Sequence, residues 1–352
     1  MEILIPGLSD VTRALLSILC ICLTLVWGIF KWQRRHTERL ASKFPGPTAL
    51  PIVGNALTLL IRTQYDLLWT ITELCEEYGS PFKFWLGSKL LVIITKPEDI
   101  QIILNSSKTL GKDVVYKFFE AAVGAGLITA PLEKWKKTRK ILTPSFSPKN
   151  ITRFVPVMNE RATIIIQRCN NIVVAGSETT AQTNCFVLLM LAIHPEYQEK
   201  VFEEQYNIFG DADRSVTPDD LDKMEYLEQA IKETLPQNYV LPAGATAVIF
   251  PFFTHYDTEL WPEPNKFNPD NFTAEKMANR HKYAFIPFSG GARGCIGNKY
   301  SMMAMKTTLS IFVRQFRVST TKKLEDIEVY VDVVLRCKGG WSMKLEQRIN
   351  QK

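Results

Sequence analysis

The sequence predicts a mainly α fold with a small β subdomain, preceded by an N-terminal transmembrane helix. Three observations carry that expectation. Apolar residues recur at helical spacing through residues 65–79, 97–105, 133–141, 157–169, 172–193, 195–208, 219–235 and 297–316. Two β-rich runs, Phe82 to Leu86 and Leu90 to Thr95, flank Gly87-Ser88 in the pattern of a hairpin. Near the N-terminus, Ala14 to Phe30 form an apolar run, about 26 Å long as a helix and enough for a thin bilayer.

Charge around that run sets its orientation. Lys31, Arg34, Arg35, Arg39 and Lys43 follow it, while Glu2 and Asp10 precede it, and this asymmetry places everything after residue 31 on the cytoplasmic side. A cleaved signal peptide fits less well, because the positive charge lies on the wrong flank and no small-residue cleavage site follows. Residues 1–43 therefore read as a membrane anchor with a basic flank. Phe44-Pro45-Gly46-Pro47 and Pro51-Ile52-Val53-Gly54-Asn55 make residues 44–56 a stiff, sharply turning hinge. The globular part is 57–352. Within it, Thr217-Pro218-Asp219-Asp220 has the form of an N-cap, a proline at the first helical position and acids in the first turn. Residues 324–347 alternate as short strands do.

Composition excludes several classes. Hydrophobic residues make up 46% and charged residues 22% of the 352, an ordinary globular balance with room for a sizeable core. A net charge of +6 spread along the chain does not argue for a nucleic-acid partner. Cys20, Cys22, Cys75, Cys169, Cys185, Cys295 and Cys337 show no paired spacing, so they read as reduced thiols. His194, His255 and His281 have no spacing that suggests a metal site.

The chemistry concentrates in Phe288-Ser289-Gly290-Gly291-Ala292-Arg293-Gly294-Cys295-Ile296-Gly297. A lone cysteine in a turn is ordinarily a buried structural residue. Here glycines let the backbone approach a large flat group, amide N–H groups can point at the sulfur, and Arg293 can meet an anionic edge. Two further segments bear chemistry. Trp135-Lys136-Lys137-Thr138-Arg139 puts an aromatic and a cation four apart on one helix face. Ala175-Gly176-Ser177-Glu178-Thr179-Thr180 interrupts an apolar helix with small residues, an acid and alcohols able to relay protons.

Taken together, these segments resemble the haem-ligand loop, the WxxxR helix and the oxygen-activating helix of the cytochrome P450 superfamily. Pro264-Asn265-Lys266-Phe267-Asn268-Pro269-Asp270-Asn271-Phe272 is similar to the family's PxxFxPxRF stretch, with Asn271 where arginine is usual, as in members resembling family 4. The resemblance implies a membrane-anchored, microsomal P450 fold on the cytosolic face of the endoplasmic reticulum. It makes Cys295 the axial ligand of haem iron, where a thiolate favours O–O cleavage. Phe288 and Gly297 would flank the haem, and Trp135, Arg139 and Arg293 would serve its edge. Glu178 and Thr179 would deliver protons and steady bound oxygen, and Ala175 stands where one branch carries a haem-esterified glutamate. Electrons from NADPH would arrive through cytochrome P450 reductase, with cytochrome b5 as a second partner, on a basic face that includes Lys136, Lys137 and Lys140. The implied substrate is a lipophilic small molecule: a fatty acid, a hormone-like compound or a xenobiotic.

The chain departs from that family at two places. Ile231-Lys232-Glu233-Thr234-Leu235 leads into Pro236, where the family's ExxR motif has arginine. Glu233 is then expected to be a buried carboxylate without its cation, at about 3–5 kcal/mol if nothing replaces it. Cys169-Asn170-Asn171-Ile172 joins two regions that the family separates by several helices forming the active-site roof. Internal deletions near 170/171 and 236/237 account for both, so the expected fold is a truncated one. Two readings stay open: a haem-thiolate monooxygenase, and a catalytically inactive, membrane-anchored splice or gene-model remnant with weak or no haem binding.

Overall fold

The computed structural model describes residues 10–60, 66–112, 116, 117, 120, 126–167, 178–212, 214–234, 246–331 and 335–348. The junctions at 170/171 and 236/237, Cys169 and the Ala175 to Ser177 segment lie outside the described residues.

The molecule is mainly helical with small β elements, as expected. Strand β1 (Phe82–Leu86) pairs antiparallel with β2 (Lys89–Ile94), in register from Phe82 opposite Ile93 to Leu86 opposite Lys89. Strand β3 (Thr246–Ile249) adds to β2 in parallel, so the sheet joins residues more than 150 positions apart. Gly87 turns the hairpin with positive φ, a conformation open to glycine without a Cβ penalty. Helices Leu67–Tyr78 and Pro97–Asn105 accompany this sheet. Leu68, Phe82, Phe84, Ile93 and Phe250 close one core there, while Ile94, Ile100, Leu104, Ile249 and Tyr283 close another. The alternation in 324–347 yields β5 (Val329–Val331), which pairs with β6 (Leu335–Cys337), and β7 (Lys344–Gln347), which pairs with β4 (Phe316–Ser319).

The largest core gathers around helix Asn298–Gln315. Met305, Leu309 and Phe312 from that helix meet Val187 and Leu191 of helix Glu178–Ile193, Val201 of helix Pro195–Phe209, and Leu227 and Ile231 of helix Glu225–Thr234. This packing joins the helix that follows the cysteine loop to helix Glu178–Ile193 in one core.

One expected helix is divided. Residues 219–235 form Pro218–Lys223 and Glu225–Thr234, separated at Met224. Thr217 and Asp220 make a capping box for the first piece, and Arg214 clamps the Asp220 carboxylate. The second piece takes its N-terminal cap from another segment. Glu204, from the neighbouring helix, supplies it by accepting from the N–H groups of Tyr226 and Leu227. That cap comes from sequence-distant residues, which is why periodicity missed the break.

The N-terminal helix runs Asp10–Ala41. Among the described residues no single helix is long and apolar enough to cross a membrane. The segments Ala14–Ile29 and Arg34–Ala41 pass that test only as a pair, bent by 53°.

Leu309 is fully buried at the centre of the main core. Leu309→Ala should lower unfolding stability by about 2–5 kcal/mol through lost burial and an unfilled cavity, read as a fall in the urea midpoint at unchanged slope.

Candidate active site

The cysteine loop is wedged between two helix ends. Gly291 has φ +62, and a Cβ there would collide with the carbonyl oxygen of Leu104, in the last turn of helix Pro97–Asn105. Gly290 faces the Tyr283 ring, whose hydroxyl donates to Asn105 Oδ1 at 2.9 Å. The loop folds back on itself as the Cys295 N–H donates to the Phe288 carbonyl at 2.8 Å. Phe288 in turn packs against the main core. Helix Asn298–Gln315 begins directly after Gly297, where a Cβ would lie 3.9 Å from Cys295 Sγ. Cys295 itself is exposed, whereas Cys75 and Cys337 are buried. Burial pushes the Cys75 thiol up to about 12, the mark of an inert structural cysteine.

Beside the loop, cations crowd together. Arg293 stacks with its guanidinium carbon 3.9 Å from the centre of the Trp135 ring, and Trp135 is buried. Its Nε donates to the Leu110 carbonyl at 3.0 Å, while Nη1 and Nη2 are buried without a hydrogen-bond partner. Burial, with Arg139 adding to it, lowers Arg293 to about 10. Lys112 is lowered to about 8 by burial and by Arg293. Arg139 is lowered by burial, although a charge on Cys295 would act in the opposite sense. Three partly buried cations share one neighbourhood, and the two unpartnered guanidinium nitrogens of Arg293 among them favour a bound anion. An exposed thiol on a glycine-lined loop beside them completes the donor set for a flat dianionic group with a thiophilic centre. The residues present therefore fit thiolate-ligated haem. No cluster of three or more metal-ligating side chains occurs among the described residues; a group held by one thiolate would need none.

The family's sequence profile matches in three stretches. These cover residues 44–171, 163–235 and 236–340, under the description Cytochrome P450. The chain belongs to the cytochrome P450 family. It is 24% identical to cytochrome P450 4g1 of Drosophila melanogaster, with 90% of this chain and 91% of the relative covered. Against cytochrome P450 4g15 of the same organism it is 35% identical, with 92% and 96% covered. Cytochrome P450 4V2 of Homo sapiens is 26% identical, with 90% and 91% covered. By family this is a P450-type oxidoreductase, a monooxygenase. The alignments to the two Drosophila proteins run over 507 and 550 positions, well beyond this P450's 352 residues.

The structure brings Trp135, Arg139, Phe288, Arg293, Cys295 and Gly297 of this P450 to one place. Trp135 lies under Arg293, a pairing that sequence spacing did not suggest. Lys112 was missed altogether, since no motif surrounds it and only tertiary packing carries it to Arg293. Glu178 opens helix Glu178–Ile193, and Thr179 is exposed on its first turn, where its carbonyl accepts from Thr183 Oγ1 at 2.9 Å.

Glu233 carries no ion pair among the described residues, yet it is not bare. It accepts from the Asn268 N–H at 2.9 Å and from Asn271 Nδ2 at 3.4 Å. Arg280 reaches the same knot through the Asn271 carbonyl, donates to the Leu260 carbonyl at 3.1 Å and stacks 4.1 Å from the Trp261 ring centre. Burial still raises Glu233 to about 7, against the pull of these hydrogen bonds and of Arg280. The asparagine at 271, which stands where the family usually has arginine, is thus the residue that meets Glu233.

Two outcomes follow from this geometry. Gly291→Ala should cost at least about 1–3 kcal/mol, because the left-handed backbone and the Leu104 carbonyl both exclude a Cβ, seen as a lower thermal midpoint. For Glu233, the folded chain holds a proton that the unfolded chain releases between its ordinary 4.5 and about 7. Stability therefore falls as pH rises through that window and stays reduced above it. Glu233→Gln keeps an acceptor for Asn268 and Asn271, so it should flatten the fall and raise the denaturation midpoint at pH 7.5. A Gln variant no more stable than the parent at that pH would contradict this assignment.

Proposed function

We propose that this P450 is a haem-thiolate monooxygenase that hydroxylates a lipophilic small molecule at the endoplasmic reticulum membrane. The observation that carries the proposal is the buried, unsatisfied Arg293 guanidinium beside the exposed Cys295 thiol. Cys295 would ligate the iron. Arg293, Arg139 and Lys112 would hold the carboxylate edge, with Trp135 keeping Arg293 in place. When bound, thiolate-ligated haem supplies oxygen activation. Phe288 and Gly297 border the sulfur and shape its approach, while Glu178 and Thr179 would hold a proton at the far side. The partners that the family resemblance supports are NADPH–cytochrome P450 reductase and cytochrome b5, meeting the exposed lysines Lys136, Lys137 and Lys140.

Residues 1–43 would form the anchor. The Ala14–Ile29 segment is short for a bilayer, about 24 Å, so Lys31 and Trp32 would snorkel to the interface of the thin endoplasmic reticulum membrane. The hinge at 44–56 and the globular part at 57–352 follow.

A second reading is favoured by the alignment lengths. Positions absent from this chain support internal deletions near 170/171 and 236/237, which would remove roof helices and leave the haem face open to water. Water exclusion protects reactive intermediates, so a roofless form would hold haem weakly or uncouple.

A reduced, carbon-monoxide-bound difference spectrum of the purified full chain separates these readings. A thiolate-type Soret band that disappears in Cys295→Ser is expected from the enzyme. Arg293→Ala should weaken haem retention roughly ten-fold or more, the loss of a charge-assisted hydrogen bond worth about 1.5–3 kcal/mol. Absence of any haem signal in the parent chain would overturn the enzymatic reading in favour of the remnant.

A further inference from the structure

We infer that Tyr283 and Asn105 are positioning residues for Cys295: their hydrogen bond latches the entry of the cysteine loop and so fixes where the sulfur stands. This rests on the reading of Cys295 as the thiolate ligand.

The loop is entered through a strained turn. Ser289 has φ +58, in the left-handed region that residues other than glycine rarely adopt, and Gly291 follows at φ +62. Such a backbone persists only where its surroundings over-determine it. Local support comes from the Ser289 N–H, which donates to the Ile286 carbonyl at 2.9 Å, and from the Gly294 N–H, which donates to the Gly291 carbonyl at 3.1 Å. Distant support comes from below. A Cβ on Gly290 would lie 2.9 Å from Tyr283 Cε1 and 3.1 Å from Leu104 Cδ1, so the turn rests on that ring and that leucine without slack. Phe288, whose carbonyl takes the Cys295 N–H at 2.8 Å, immediately precedes the turn. A tilt of residues 289–291 therefore displaces that acceptor, and the cysteine with it.

The ring under the turn is held in two ways. Tyr283 is buried among Ile94, Ile100, Leu104, Ile249 and Ile286, but apolar packing is non-directional and does not by itself set a ring's angle. The hydroxyl does, by donating to Asn105 Oδ1 at 2.9 Å. Asn105 ends helix Pro97–Asn105, and the turn after it is stitched down, with Thr109 Oγ1 donating to the Ile103 carbonyl at 2.5 Å and to the Ser106 carbonyl at 2.8 Å. A few residues on, the Leu110 carbonyl takes Arg293 Nε at 3.0 Å. Residues 104–110 thus hold the loop at Gly290, Gly291 and Arg293, and the Tyr283–Asn105 bond ties the chain leading into the loop to the same segment. Asn105 is exposed, so its side chain can be replaced without opening a cavity in the core.

Hydrogen exchange of the detergent-solubilised full chain, read by mass spectrometry on the peptide covering residues 288–297, tests the latch. Tyr283→Phe and Asn105→Leu should each speed exchange there roughly three- to ten-fold, the factor that one lost hydrogen bond produces in a local opening. The double variant should exchange no faster than either single one, because both remove the same bond. Asn105→Asp keeps an acceptor of the same reach and should restore the parent rate. Exchange across β1 and β2 should not change in any variant. In the haem-loaded chain, the carbon-monoxide difference spectrum of Tyr283→Phe should show a smaller thiolate-type Soret band as a share of total haem, and Asn105→Asp the parent share. Parent-like exchange in both single variants, additive effects in the double variant, or no recovery with aspartate would overturn the inference. So would faster exchange throughout β1 and β2, the sign of a fold weakened as a whole, or an unchanged thiolate share in haem-loaded Tyr283→Phe. The exchange measurement needs no haem. A parent chain without a haem signal would sink the enzymatic reading and leave exchange to decide the latch, whereas a normal parent spectrum with unmoved exchange would sink the latch alone.

Discussion

The cysteine loop stays in place because one backbone passes directly under another. Gly291 lies so close beneath the Leu104 carbonyl that no side chain fits between them. That contact ties the end of helix Pro97–Asn105, part of the sheet-bearing half, to the start of helix Asn298–Gln315, the axis of the helical half. The Cys295 N–H bond to Phe288 then closes the loop, and Phe288 docks it on the main core. Sulfur position is therefore set by both halves of the molecule at once. Disturbing either core is felt at the thiol through packing, with no need for a direct contact.

Around that fixed loop the electrostatics are lopsided. Arg293, Arg139 and Lys112 are partly desolvated within one neighbourhood, and each is held below its ordinary range by burial. Cations gathered in this way cost folding free energy unless an anion joins them. A haem carboxylate edge would turn that cost into binding. Glu233 is a half-buried acid in a sequence that has Pro236 where the family's ExxR motif has arginine. Asn268 and Asn271 supply neutral donors instead, and Arg280 bonds to the backbone of the same knot. Neutral donors satisfy the lone pairs without matching the charge, which is why the proton affinity of Glu233 remains high.

The N-terminal helix shows a different use of charge. Arg34 stacks on Trp85 while sharing Glu38 with Lys31, so the basic flank does more than orient the segment in a bilayer. It fastens the helix to the hairpin.

Much of this P450 was legible from residues alone. Local periodicity located helices Leu67–Tyr78, Pro97–Asn105, Pro195–Phe209 and Asn298–Gln315 to within two residues or so, because amphipathic spacing is a property of the segment itself. The Thr217 cap and the hairpin were readable for the same reason. Motif spacing likewise picked out Cys295, Arg293, Trp135 and Arg139. What periodicity could not reach was anything requiring two distant segments: the Glu204 cap that splits residues 219–235, the arrival of Lys112 beside Arg293, the stacking of Arg293 on Trp135, and the hydrogen bonds from Asn268 and Asn271 to Glu233. By itself, then, the sequence determined the family and the elements that carry its motifs. Only the tertiary structure decided which charges share a buried space and which carboxylate finds donors, because burial and proximity arise from packing between segments that no local pattern relates.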